Sequence, residues 1–193
     1  MHPITKILAG ALLALFCTAA AATPKDDLHA AFTQFMKIHS FRATVTDLKK
    51  SEQISTMEYV APDRYRMKTA DGPSQIIVGD AMYMDMDGKL TRLPIPGVSK
   101  LTSRYRNEDF LHEIEGGMTV TALPDEVVDG ESAKVYAYTM TQPIKSDAKA
   151  WISVKTGLPI QVESIGSFMG HTSTTRIHYS NFNDPAIHID APN

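Results

Sequence analysis

MEYVAPDRYRMKTADGPSQIIVGDAMYMDMDGKLTRL, residues 57–93, is the stretch that decides the fold. In DRYRMK, Tyr65 and Met67 alternate with Arg64, Arg66 and Lys68. That is the period-2 pattern of a strand with one buried and one wet face. In MYMDMDGKL, Met82, Met84 and Met86 share a face, and Asp87-Gly88 is a two-residue hairpin signal. If those two residues make the turn, Met86 faces Lys89, Met84 faces Thr91 and Met82 faces Leu93. The face then grades from apolar to polar toward the turn, as the wall of a cavity with a mouth would.

The alternation continues on both sides of this stretch. Phe41, Ala43 and Val45 alternate with Arg42, Thr44 and Thr46. Further strand-like runs fall near 52–60, 118–123, 134–141, 149–155, 158–165, 171–181 and 186–190. Turn signals at Pro62-Asp63, Asp71-Gly72-Pro73, Asp129-Gly130, Thr156-Gly157 and Asp184-Pro185 separate most of them. Two segments break the pattern. Residues 26–38 carry Leu28, Phe32, Phe35 and Met36 as a helical stripe, with Asp26 and Asp27 at the positive end of the helix dipole. Residues 107–115 carry Phe110, Leu111 and Ile114 behind an N-capping Asn107, and Gly116-Gly117 stops them. Many meandering strands and two or three helices define an α+β chain. We expect a single curved, unclosed antiparallel sheet, a half-barrel, with an N-terminal helix and one or two short helices over its concave face.

The N-terminus reads as a secretory leader. Lys6 supplies the positive charge, Ile7 to Cys17 the apolar run, and Ala20-Ala21-Ala22 the small-residue cleavage site. The run is too short for a membrane span, which needs roughly 20 apolar residues. Phe16 before Cys17 argues against lipoprotein processing, so cleavage is expected after Ala20, Ala21 or Ala22. With residues 1–22 as leader, one domain spans 23–193, and 193 less 22 leaves 171 residues, enough for one packed core. That chain contains no cysteine, so neither disulfides nor a thiol nucleophile are available. Its formal charge moves from −3 to −4 when Lys6 is removed, which argues against a nucleic-acid partner. Lys100, Arg104 and Arg106, after Pro94-Ile95-Pro96-Gly97, form the candidate docking loop for a partner; the plainer reading is a solvated loop.

Catalytic patterns are missing. Gly72-Pro73-Ser74-Gln75-Ile76 lacks the second glycine of a nucleophile elbow, and His112-Glu113 is followed by Gly116 where a second metal-binding His would stand. His171, His178 and His188 could meet only if the C-terminal strands paired suitably. The spacing of Met82, Met84 and Met86 would also suit Cu(I), whose preference is for soft thioethers. The same spacing follows from any strand with an apolar face, and Met is an adaptable filler of irregular pockets. We therefore expect no enzyme, no cofactor and no resident metal.

The chain resembles the LolA-like family of exported proteins, which includes lipoprotein carriers, lipid-binding lipoproteins and envelope-stress sensor domains. The residues that carry the likeness are the opening helix into Phe41-Arg42-Ala43, Tyr59-Val60-Ala61-Pro62-Asp63-Arg64-Tyr65-Arg66-Met67, Ile76-Ile77-Val78-Gly79-Asp80, Met82-Tyr83, and Trp151-Ile152-Ser153-Val154-Lys155-Thr156-Gly157-Leu158-Pro159. The resemblance implies a half-barrel whose hollow side shields the acyl chains of a lipoprotein or lipid in the periplasm. The expected cavity residues are Phe32, Phe35, Met57, Tyr59, Tyr65, Met67, Met82, Met84, Met86 and Trp151. An alternative is a sensor or interaction module of the same fold that contacts an envelope membrane protein. One departure bears on mechanism: the carriers of that family place a basic residue, which governs closure and release, just before the strand-turn proline. Here the position is Ala61.

Overall fold

The computed structural model describes residues 22–104, 106–141, 145–168 and 171–192; the expected leader up to Ala21 lies outside them. The chain opens with α1 (Pro24–Met36). Pro24 stands at its first turn, and Thr23 and Asp26 form a reciprocal capping box, with Thr23 Oγ1 accepting from Asp26 N at 3.2 Å and Thr23 N donating to Asp26 Oδ2 at 3.0 Å. Hydrogen bonds from Thr23 hold the Asp26 carboxyl below its ordinary range. Eleven strands follow: β1 (Ser40–Asp47), β2 (Glu52–Val60), β3 (Arg64–Thr69), β4 (Ser74–Val78), β5 (Ala81–Met86), β6 (Lys89–Leu93), β7 (Thr119–Val128), β8 (Glu131–Met140), β9 (Ser146–Ser153), β10 (Pro159–Phe168) and β11 (His171–Ser180). Two helices, α2 (Val98–Arg104) and α3 (Glu108–Glu115), lie between β6 and β7.

All eleven strands pair antiparallel in one sheet ordered β6-β5-β4-β3-β2-β1-β11-β10-β9-β8-β7. The sheet is an unclosed α+β half-barrel: β6 and β7 are its two free edges, and the junction of β1 with β11 closes the middle. Asp87 (φ 55°) and Gly88 (φ 82°) make the β5–β6 turn with both central residues left-handed, the geometry whose twist suits a two-residue hairpin. The expected register follows, with Met86 opposite Lys89, Met84 opposite Thr91 and Met82 opposite Leu93.

Cross-strand pairing carries one apolar face across the whole sheet. From Met82 it runs through Ile77, Tyr65 and Tyr59 to Phe41 on one side. From Ala43 it continues through Tyr179 and then along Ile177, Val162, Ala150 and Tyr136 on the other. α1 lies on this face over β7 to β10, where Leu28 and Ala31 are buried against Tyr136, Tyr138, Ala148, Ala150 and Ile152. Burying Leu28 alone stabilises the contact by about 2 kcal/mol. Tyr136 adds a hydrogen bond from its hydroxyl to Asp27 Oδ2 at 2.9 Å.

The structure differs from the sequence reading in three places. Residues 94–106 are not one loop, since α2 occupies 98–104, with Val98 buried and Asp80 accepting from Ser99 N and Ser99 Oγ. Residues 186–190 form no strand. Ile187 and Ile189 are buried as the alternation implied, but the backbone carbonyls of His188 and Ile189 accept from Arg66 and Arg64 side chains instead of a neighbouring strand. Trp151 lies on the face opposite α1, because Ala150 and Ile152 on either side of it take the inward positions.

Asn107 caps α3 as its side chain accepts from Asp109 N at 2.8 Å. Asn107→Ala is expected to cost about 1 kcal/mol, read as a lower urea midpoint with an unchanged slope.

Candidate functional site

The inward stripe of α3 meets the inward stripe of α1 over β8, β10 and β11, and the two do not fill the space between them. A cavity of about 180 Å³ remains. Phe32, Phe35 and Met36 line it from α1, Phe110, Leu111 and Ile114 from α3, and Met118, Tyr138, Met140, Pro159 and Tyr179 from the rest. Asn107 is the one amide among these residues. A dry apolar cavity of about 150 Å³ holds a benzene-sized guest, so this one admits a short length of alkyl chain, on the order of six carbons. The walls are Met, Leu, Ile and aromatic rings, which change rotamer without exposing polar atoms.

Beside the cavity, the same face is packed tight. Phe35, Tyr179, Phe41, Tyr59 and Tyr65 form a chain of rings with successive centroids 4.9 to 5.7 Å apart. Arg106 is seated among them, its guanidinium carbon 4.4 Å from the Tyr59 centroid, 5.2 Å from Phe35 and 5.8 Å from Phe41. Its Nη2 donates to the carbonyls of Met36 (2.7 Å), Ile38 (3.1 Å) and Phe35 (3.2 Å). They lie at the C-terminal end of α1 and just beyond it, where the helix dipole is negative, and the last turn of α1 has no basic residue of its own. Nε and Nη1 of Arg106 are out of contact with solvent and have no hydrogen-bond partner among the described residues. A cation so placed is costly to bury, and cation–π contact and carbonyl oxygens offset the cost, with no carboxylate paired to it among the described residues.

Burial pushes the hydroxyls of Tyr65 and Tyr179 up to about 12 against the opposing pull of Arg106; burial, and then the bond to Asp27, takes Tyr136 to about 12, and burial also raises Tyr138. An unfolded tyrosine ionises near 10. Between about pH 10 and 12 the unfolded chain therefore holds fewer protons than the folded one, and stability falls as pH rises. Urea midpoints are expected to be level from neutral pH up to about pH 10 and to drop steadily above it.

Of the residues expected in the cavity, Phe32 and Phe35 line it. Tyr59 and Tyr65 belong to the aromatic chain next to it, with Met57 packed against the same cluster. Met67 lies beside Met57 in register. Met82 and Met84 are half-buried further out on β5, and Met86 is 53% exposed near the edge hairpin. The structure does not bring Trp151 to the cavity; it packs with Ala133, Val135 and Ile160 and donates from Nε1 to Glu126 at 2.8 Å. Lys100, Arg104 and Arg106 do not gather into one patch. Lys100 is exposed on α2, Arg104 pairs with Glu113 at 3.1 Å, and Arg106 turns inward. The α3 side of the cavity was visible in the sequence only as a stripe of Phe110, Leu111 and Ile114 without an assigned partner.

Comparison with solved structures bears on this arrangement. The lipoprotein LppX of Mycobacterium tuberculosis superposes with a TM-score of 0.64 at 14% identity, covering 86% of this chain and 97% of that one. The fold is that of LppX. The likeness extends over nearly the whole LppX chain, and at this identity it concerns the fold alone. Further similar structures include the MucA/MucB complex of Pseudomonas aeruginosa (TM-score 0.47, 16% identity, covering 84% of this chain and 56% of that one). The LolA superfamily protein NE2245 of Nitrosomonas europaea gives a TM-score of 0.36 at 12% identity, covering 84% of this chain and 93% of that one. No protein-family model and no curated protein matches the sequence.

Proposed function

We propose that this chain is an exported, non-catalytic binding or carrier protein that shelters the acyl chain of a lipid or lipoprotein between its sheet and its helices. The observation that carries the reading is the apolar cavity walled by α1, α3 and the hollow face of the sheet. Each methylene withdrawn from water contributes about 0.8 kcal/mol, so a chain of ~14 carbons is worth on the order of 10 kcal/mol. The cavity as it stands accommodates under half of such a chain. Loading a full chain therefore requires α3 and the segment before it to swing away from α1. A carrier benefits from that arrangement, because closing the helices again helps to expel the guest at delivery. LppX, with which this chain shares its fold, is itself a lipoprotein. Ala61 departs from the carriers' pattern, and in this chain Arg106, on the segment between α2 and α3, holds that segment to the end of α1.

Native mass spectrometry of the protein purified from its exported location tests the proposal. The expected result is a population heavier by one acyl lipid, lost on mild activation and regained when a fatty-acyl probe is added. Protein that carries no lipid and takes up no probe would overturn it.

A further inference from the structure

We propose that His29, His112 and Glu115 form a site for one divalent transition-metal ion, with Zn²⁺ best suited to the ligand set, which ties α3 to α1. This goes beyond the acyl-binding reading and does not rest on it. The three side chains offer ligand atoms that all lie within 4.8 Å of one another. His29 comes from α1, His112 and Glu115 from α3, the two helices that also wall the cavity.

The geometry points to an ion more than to a pair of hydrogen bonds. His29 Nδ1 is 2.7 Å from Glu115 Oε1, a normal contact. His112 Nδ1 stands 3.7 Å from the other carboxylate oxygen, Oε2, too far to bond it. Around a tetrahedral ion with Zn–N and Zn–O bonds of about 2.0–2.1 Å, neighbouring ligand atoms are about 3.4 Å apart. The three ligand atoms, all within 4.8 Å of one another, come to that spacing by side-chain adjustments on the order of 1 Å. The two imidazoles lie with centroids 5.5 Å apart and planes inclined by 30°.

Charge favours the same occupant. The Glu115 side chain is only 12% exposed, and its ion-pair partners among the described residues are the two imidazoles. The nearby ammonium of Lys25 goes to the Glu115 backbone carbonyl, at 2.7 Å, and not to the carboxylate. A dication held between the two imidazoles and a largely desolvated carboxylate brings more positive charge to it than hydrogen bonds alone. Imidazole and carboxylate donors suit Zn²⁺ and discriminate against Cu(I), which the thioethers of the β5 stripe would prefer. Thr33 Oγ1, 3.4 Å from His29 Nε2, provides an outer partner for the ring nitrogen left free by metal binding at Nδ1. His112 is 67% exposed, so water can complete the coordination.

The test is a Zn²⁺ titration of the exported protein, prepared without a polyhistidine tag, in competition with a chromophoric chelator. One equivalent is expected to bind, and His112→Ala and His29→Ala are each expected to weaken it tenfold or more. His178→Ala, which removes an imidazole paired with Asp129 elsewhere, is expected to leave the affinity unchanged. Because His112 is exposed and closes no bond to Glu115, its removal should not unfold the chain. A Zn²⁺-dependent rise in melting temperature that His112→Ala abolishes gives a second readout. Absence of stoichiometric Zn²⁺ binding to the unaltered protein, or an affinity indifferent to both alanine variants, overturns the site.

Discussion

Arg106→Ala is expected to destabilise the fold by about 3 kcal/mol, whereas Arg106→Met, which keeps the length of the side chain, is expected to cost about 1 kcal/mol or less. Opposing effects set these values. Charge-assisted bonding to the α1 carbonyls contributes about 1.5–3 kcal/mol, and desolvated cation–π contact about 2. Against them stand Nε and Nη1, two buried nitrogens with no partner among the described residues, each costing about 1–3 kcal/mol. The two sides nearly cancel, so a thioether lying on the same rings replaces most of what the guanidinium provides. Alanine does not, because it leaves a hole among Phe35, Phe41 and Tyr59. The consequence for function differs from that for stability. Either variant releases the segment before α3 from the last turn of α1, and exchange of a fatty-acyl probe is expected to quicken about tenfold, equivalent to ~1.4 kcal/mol. Urea unfolding and probe-exchange kinetics on the two variants separate these effects. An alanine variant as stable as the parent would show that the guanidinium is not seated among the rings.

The same residue shows where sequence reading stops. A charged side chain in a loop after Pro94-Ile95-Pro96-Gly97 is normally solvated, and nothing in its neighbourhood along the chain marks Arg106 as buried. The explanation is 70 residues upstream, in a helix whose last turn lacks a basic residue. The β-face, by contrast, was legible because its cause is local. Alternation puts Tyr65 and Met67 on one side by backbone geometry alone, and Asp87-Gly88 fixes the register of Met82, Met84 and Met86 through the turn they precede. Inward alternation identifies a face, but it does not say which part of that face is filled. Tyr59 and Tyr65 lie against Arg106 and Phe41, while the space opens around Tyr138 and Met140, where two helices only partly interdigitate. Trp151 illustrates a related limit. Its bulk suggests a pocket, but only pairing of β9 with β8 and β10 decides which side it takes. His29 and His112 come together for the same reason as Arg106, through helix packing and not through spacing.

Ile114→Trp is expected to weaken acyl binding at least tenfold while leaving the melting temperature level or slightly raised. Ile114 sits half-buried on α3 with its side chain at the cavity and against the Leu28–Tyr138 cluster. An indole at this position extends into space that is vacant in the closed form, so overpacking strain is small and added apolar burial offsets it. The guest loses that space. Excluding two methylenes from contact already removes about 1.6 kcal/mol, somewhat more than a factor of ten in affinity. The control is Met86→Trp on the outer end of the β5 stripe, a residue half-exposed and outside the cavity lining. It is expected to leave binding unchanged. If instead the β5 variant abolishes binding and Ile114→Trp does not, the guest lies along the outer strands of the sheet, from Met57 and Met67 out to Met84. The helix-walled cavity would then be a packing defect between α1 and α3. A fluorescent fatty-acyl probe titrated against the two variants decides between these locations, because both substitutions add the same ring, one from α3 into the cavity and one from the outer end of β5.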